Sequence, residues 1–390
     1  MRFSFSNTSR RPTLLTALVL AILSTPPRTA AQSADSARGT NNVVLIMTDG
    51  FRWQEMFRGA DPALMGQANS PFADTASLRA KFGGATAEAR RRALLPFFWS
   101  TIAEKGQIFG NRDKGSDVHV TNGFKFSYPG YNETLTGAPD PRINSNRYGP
   151  NPNVTVFEWL SRRPGFEDRV AAFGAWSPFD DIFNRERSGL FVRAAWDIPF
   201  DPPNGERQEV IDDLYRNMTR IWGKYLNYDA FVQQAMLEYV REKKPRALFV
   251  GFGETDEWAH EGRYDLYLRA AHRFDHFVAE LWDQMQAMPE YRGHTTFIIA
   301  TDHGRGDGPT GWRNHGQEVD GADAIWLAVL GPDTPALGER TNATTATQSQ
   351  VAATIAALLG EDFCAAMPHA AAPIADVFGR AAEAAPSRPQ

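Results

Sequence analysis

Between Thr295 and Gly316 the chain reads TTFIIATDHGRGDGPTGWRNHG. An apolar run, Thr296 to Ala300, ends in Asp302 and His303, and a glycine-rich loop delivers a second imidazole, His315. A carboxylate and two imidazoles beside a buried strand are costly to leave unpaired. One metal ion would satisfy all three. Two more apolar runs end in the same way. Val43 to Met47 leads to Asp49, and Ala247 to Val250 leads through Gly251-Phe252-Gly253 to Asp256, with His260 four residues on. On a helical turn that spacing puts Asp256 and His260 on one face, where they can share an ion. Each motif alone has an ordinary reading: a surface Asp-His pair, or a turn aspartate before Gly50. Glu257 and Glu261 read as solvated neighbours of the pair rather than ligands.

A nucleophile for such ions stands in Phe126 to Gly137, FSYPGYNETLTG. Ser127 precedes a Pro-Gly turn, so its hydroxyl is expected at the lip of a helix N-terminus. There backbone amides and a metal lower its pKa. The plain alternative is a helix cap.

These residues need a scaffold that brings strand ends together. Apolar runs without alternation are what parallel strands covered on both faces look like. Val170 to Phe173 and Ile325 to Leu330 are further strand candidates. Helical periodicity fills the gaps at Leu95 to Lys105, Thr155 to Arg162, Asp229 to Lys243, Tyr264 to Met288 and Gln348 to Leu359, the last closed by Gly360. The alternation predicts an α/β fold with a largely parallel central sheet sandwiched by helices. Ligands in such sheets gather at the carboxyl ends of the strands. From 177 to 244 the rhythm weakens into polar, aromatic and proline-rich sequence, expected to be a small cap insertion. The Ala/Pro-rich tail, 365–390, is expected to pack little.

At 390 residues the chain has room for one large catalytic domain, expected over 41–360. A net charge of −5 offers no electrostatic case for a nucleic-acid-binding surface. A single cysteine, Cys364, excludes an internal disulfide. Residues 1–31 read as a signal peptide, with Arg2, Arg10 and Arg11, the apolar run Leu14 to Leu23, and small residues before a cleavage point after Ala31. Ser9 to Leu15, SRRPTLL, also resembles a twin-arginine signal. A periplasmic or secreted address follows, with no transmembrane segment after cleavage.

Taken together, Asp49, Ser127, Asp256 with His260, Asp302 with His303, and His315 occur in the order of the alkaline phosphatase superfamily. The branch most resembled is the nucleotide pyrophosphatase/phosphodiesterase-like and phosphoglyceromutase-like group. Ser127-Tyr128-Pro129 matches its nucleophile motif, and Thr136-Gly137 falls where the motif closes. The resemblance covers Asn42 to Gly360. It implies a metal-dependent hydrolase of phosphoric esters, phosphatase or phosphodiesterase, acting on a small-molecule phosphate ester through a covalent phosphoserine on Ser127. It also implies two zinc ions, with manganese as an alternative. One is held by Asp256, His260 and His315, the other by Asp49, Asp302 and His303, and Ser127 reaches both. Asn146 falls near the substrate-binding asparagine. Two ions about 4 Å apart suit an in-line displacement at phosphorus.

A sulfatase-type or phosphomutase-like enzyme of the same fold, or a noncatalytic metal-binding relative, is the alternative. The sulfatase motif needs an arginine where this chain has Tyr131, so an unmodified serine is expected. Arg52, Arg142, Arg305 and Arg313 lie near candidate loops, each expected at the surface.

Overall fold

The computed structural model describes residues 38–378. The signal peptide expected over 1–31 lies outside the described residues, as does 379–390 of the tail. Eleven strands run in chain order among the described residues: β1 (Asn42–Thr48), β2 (Gln107–Phe109), β3 (Val118–His119), β4 (Val170–Gly174), β5 (Phe191–Ala194), β6 (Ala247–Phe252), β7 (Thr295–Ala300), β8 (Ala324–Ile325), β9 (Leu327–Leu330), β10 (Gly338–Glu339) and β11 (Ala346–Thr347). Eight form one sheet in the order β10-β2-β9-β7-β1-β6-β4-β5, and β11-β3-β8 form a second, small one.

β7, β1, β6, β4 and β5 are parallel neighbours, while β9 runs antiparallel to both β7 and β2. The fold is therefore the expected α/β layering around a largely parallel sheet. Every residue of β1, β6 and β7 is buried, which is why these strands read as unbroken apolar runs. Met47 pairs with Ala300 on one side and Gly251 on the other, so the three central strands end at one level. Asp49, Asp302 and the turn leading to Asp256 are thereby brought to one edge.

The helices Asp229–Lys243 and Tyr264–Ala287 fall where their periodicity places them. Two expectations shift. The run 325–330 divides at Trp326 into β8 and β9, which belong to different sheets. The helix expected over 95–105 is present from Pro96 to Lys105, but its middle, Phe98–Ile102, is a π-helical turn. Pro96 removes a backbone donor at its start. The segment 177–244 contributes β5 to the sheet edge and holds the helices Glu206–Asn217 and Asp229–Lys243.

Candidate active site

The side chains singled out by spacing converge. Asp302 sits just past β7, fully buried, and its Oδ1 accepts from the Gly50 amide at 3.0 Å. Gly50 has φ +56°, and a Cβ there would lie 2.6 Å from Asp256 Oδ1, so only glycine fits between the two carboxylates. Asp49 Oδ2 accepts from the Tyr131 hydroxyl at 3.2 Å. Asp256 lies on the helix Glu254–His260, whose start is pinned where Asp229 accepts from the amides of Gly253 and Glu254.

The imidazoles are oriented by backbone. His303 Nδ1 donates to the Gly304 carbonyl at 2.9 Å and His315 Nδ1 to the Lys125 carbonyl at 3.4 Å. In the neutral imidazole Nε2 of His303 then carries the lone pair. It faces Asp49 Oδ1 at 3.2 Å, Asp302 Oδ2 at 3.5 Å and Asp256 Oδ1 at 3.9 Å. Asp49 Oδ1 and Asp302 Oδ2 have no hydrogen-bond partner although both are buried. Lone pairs turned on one another in a dry site call for a cation between them. Among the described residues, two sets have ligand atoms close enough to share an ion: Asp49, Asp302 and His303, and Asp256, His303 and His315. His260 joins the second set, its Nε2 3.1 Å from Asp256 Oδ2 and 3.0 Å from His315 Nε2. The donor set fits two divalent ions.

The electrostatics agree with that fit. Burial, reinforced by Asp256, pushes the Asp49 carboxyl well above the ordinary range, and burial with Asp49 does the same to Asp302. At Asp256 burial is outweighed by Arg305, His260 and His315, which hold it well below that range. Burial and the neighbouring His303 push His315 down.

Ser127 is the first residue of the helix Ser127–Thr136, and its Oγ lies 3.5 Å from His303 Nε2. This helix comes close to the sheet because Gly130 has no side chain: a Cβ there would lie 2.4 Å from the Asp302 carbonyl oxygen. Asn146 Oδ1 accepts from the Tyr128 amide at 2.9 Å, leaving its Nδ2 as the remaining donor. Ser127, Asn146, Trp176, Tyr225, Glu257 and His260 are among the residues lining a cavity of about 110 Å³. A larger groove of about 540 Å³ between the helices Glu206–Asn217 and Asp229–Lys243 shares none of these residues.

Three expectations are corrected. Arg52 and Arg305 are buried, not surface residues, because each folds onto a carboxylate, Arg52 onto Glu55 and Arg305 onto Asp256. Glu257 is a half-buried wall of the cavity rather than a solvated neighbour, and burial with Asp256 pushes it up to about 7. Arg142 does lie exposed, paired with Asp140, and Arg313 donates to Asn69 Oδ1 at 2.6 Å.

A cluster of carboxylates and imidazoles at the carboxyl edge of a mostly parallel sheet is the arrangement expected of a metalloenzyme with the alkaline phosphatase-like fold. Residues 223–361, which carry Asp256, His260, Asp302, His303 and His315, match the Metalloenzyme superfamily. The chain is similar to wild-type alkaline phosphatase PafA, at 12% identity and a TM-score of 0.54 over 88% of this chain and 99% of that one. It is also similar to the lipoteichoic acid synthase LtaP from Listeria monocytogenes, at 10% identity and 0.53 over 84% and 73%. A 2-O GAG sulfatase matches at 14% identity and 0.52 over 88% and 75%. Comparison with curated proteins gives no significant match. The resemblance to the alkaline phosphatase superfamily thus holds in sequence motif and in fold, with no one branch of it singled out.

Proposed function

We propose that this chain is an exported hydrolase of phosphoric esters with Ser127 as its nucleophile. The observation that carries the reading is the position of Ser127 Oγ, 3.5 Å from the His303 nitrogen that faces all three aspartates. Asp49, Asp302 and His303 would hold one ion, and Asp256, His260 and His315 the other. Three imidazoles among six ligands favour zinc, with manganese able to substitute. When bound, the ions supply charge neutralisation and Lewis acidity for displacement at phosphorus.

The chain's own residues supply the rest. Ser127 Oγ bonds to phosphorus as the P–O bond to the ester alcohol breaks, and the proton that Ser127 gives up leaves on the departing alcohol. Water then cleaves the phosphoserine, which releases phosphate and restores the hydroxyl. Asn146 Nδ2 is available to donate to a non-bridging oxygen. Trp176, Tyr225 and Leu226 line the cavity and would meet the alcohol portion, so the segment 177–244, which supplies Tyr225 and Leu226, would help set the choice of substrate. Tyr131, where a sulfatase-type motif has arginine, is committed to Asp49, which favours phosphate over sulfate chemistry.

The test is the initial rate of the zinc-loaded protein on p-nitrophenyl phosphate, its bis-ester and its sulfate, at one pH. A preference for either phosphate ester supports the reading, and the ratio of the two rates assigns the branch. A preference for the sulfate overturns it.

A further inference from the structure

Three imidazoles meet at this site, and one of them is held differently. His303 and His315 each donate through Nδ1 to a backbone carbonyl, which leaves Nε2 free to ligate. His260 Nδ1 instead faces a terminal nitrogen of Arg305 at 3.4 Å. A guanidinium can only donate, so His260 Nδ1 must accept and its proton must sit on Nε2. That nitrogen points at Asp256 Oδ2 and His315 Nε2, where a metal would need a lone pair.

Arg305 is itself firmly seated. It is 1% exposed, its Nε donates to the Trp312 carbonyl at 2.9 Å, one terminal nitrogen contacts Asp256 Oδ1, and the other also reaches the Arg313 carbonyl. The other half of the centre has no such partner. Asp49 Oδ1 and Asp302 Oδ2 are buried and unpaired, and no arginine or lysine pairs with either carboxylate among the described residues.

We infer that Arg305 is a resident cation of the Asp256–His260–His315 half-site, so that the two halves load metal in unequal steps. The inference rests on the reading of this cluster as a two-metal centre. The first ion enters Asp49, Asp302 and His303, where no guanidinium has to be displaced. The second must displace the guanidinium from Asp256 and from the Nδ1 face of His260. Arg305 thereby makes the active, doubly loaded form depend on zinc supply.

Calorimetric titration of the metal-stripped protein with zinc chloride tests this. The expected isotherm has two steps, the first ion binding at least about tenfold more tightly than the second. Asp302→Asn should remove the tight step, and His315→Ala the weak one. Arg305→Met keeps the aliphatic stem and drops the charge. It should tighten the second step about tenfold and leave the first unchanged. Arg305→Lys should keep the steps apart, and it serves with the wild-type isotherm should Arg305→Met fail to unfold cooperatively. Two equal sites in the wild type, or a second step weakened by Arg305→Met, would overturn the inference alone. No zinc binding at all would instead overturn the metal centre.

Discussion

Ser127 places an aliphatic hydroxyl in a wall made mostly of carboxylates, imidazoles and aromatic rings. Ser127→Ala should lower turnover by roughly 10⁴-fold while zinc content, measured by atomic emission, stays at the wild-type level. Surviving turnover would remove Ser127 from the mechanism. Tyr131→Phe takes away the donor to Asp49 Oδ2 and nothing else of the ring packing against Phe179 and Trp176. Zinc held against a chelator should weaken about tenfold, and excess zinc should restore kcat. The six side chains that converge were legible in the sequence, because five follow an apolar run or sit one helical turn from another of them and His315 ends a glycine-rich loop. Arg305 and Tyr131 were not. A charged residue in a glycine-rich loop reads as exposed, and only closure of that loop onto Asp256 buries it.

At the scale of elements, the helix Ser127–Thr136 and the end of β7 are in contact through Gly130. Gly130→Ala should push the helix off Asp302, costing about 1–3 kcal/mol in urea unfolding. Its loss of kcat should exceed what the lost stability explains, since Ser127 moves with the helix. The same helix is anchored one turn further on by Glu133, which accepts from the amides of Thr121 and Asn122 and from the Ser349 hydroxyl. The central strands were readable because burial on both faces removes polar alternation. The edge strand β5 was not, since its burial alternates over only four residues, FVRA. The split of β8 from β9 was equally hidden, because a change of sheet leaves no mark in an apolar run.

At the scale of the molecule, stability should respond to pH in opposite directions with and without metal. Asp49 and Asp302 are raised in the folded chain, so their contribution is present below the unfolded value of about 4 and is lost as pH rises through the folded ones. Asp256 is lowered, so its contribution holds above about 4 and is lost only as pH falls through its folded value. The metal-free protein should therefore melt at a higher temperature in mild acid than at neutral pH. Bound zinc needs deprotonated ligands and should reverse the slope. Melting curves with zinc and with EDTA across pH 5 to 8 would read this directly, and parallel slopes would contradict it.

The middle of the sheet is built from strands far apart along the chain. β1 pairs with β6, which begins at Ala247, and with β7, which begins at Thr295. During synthesis β1 emerges first and then waits through most of the chain with both edges bare. An unpaired apolar strand is a template for aggregation. Production of this protein is thus expected to depend on a holding chaperone, and a circular permutant that brings β1 next to β6 should escape that dependence.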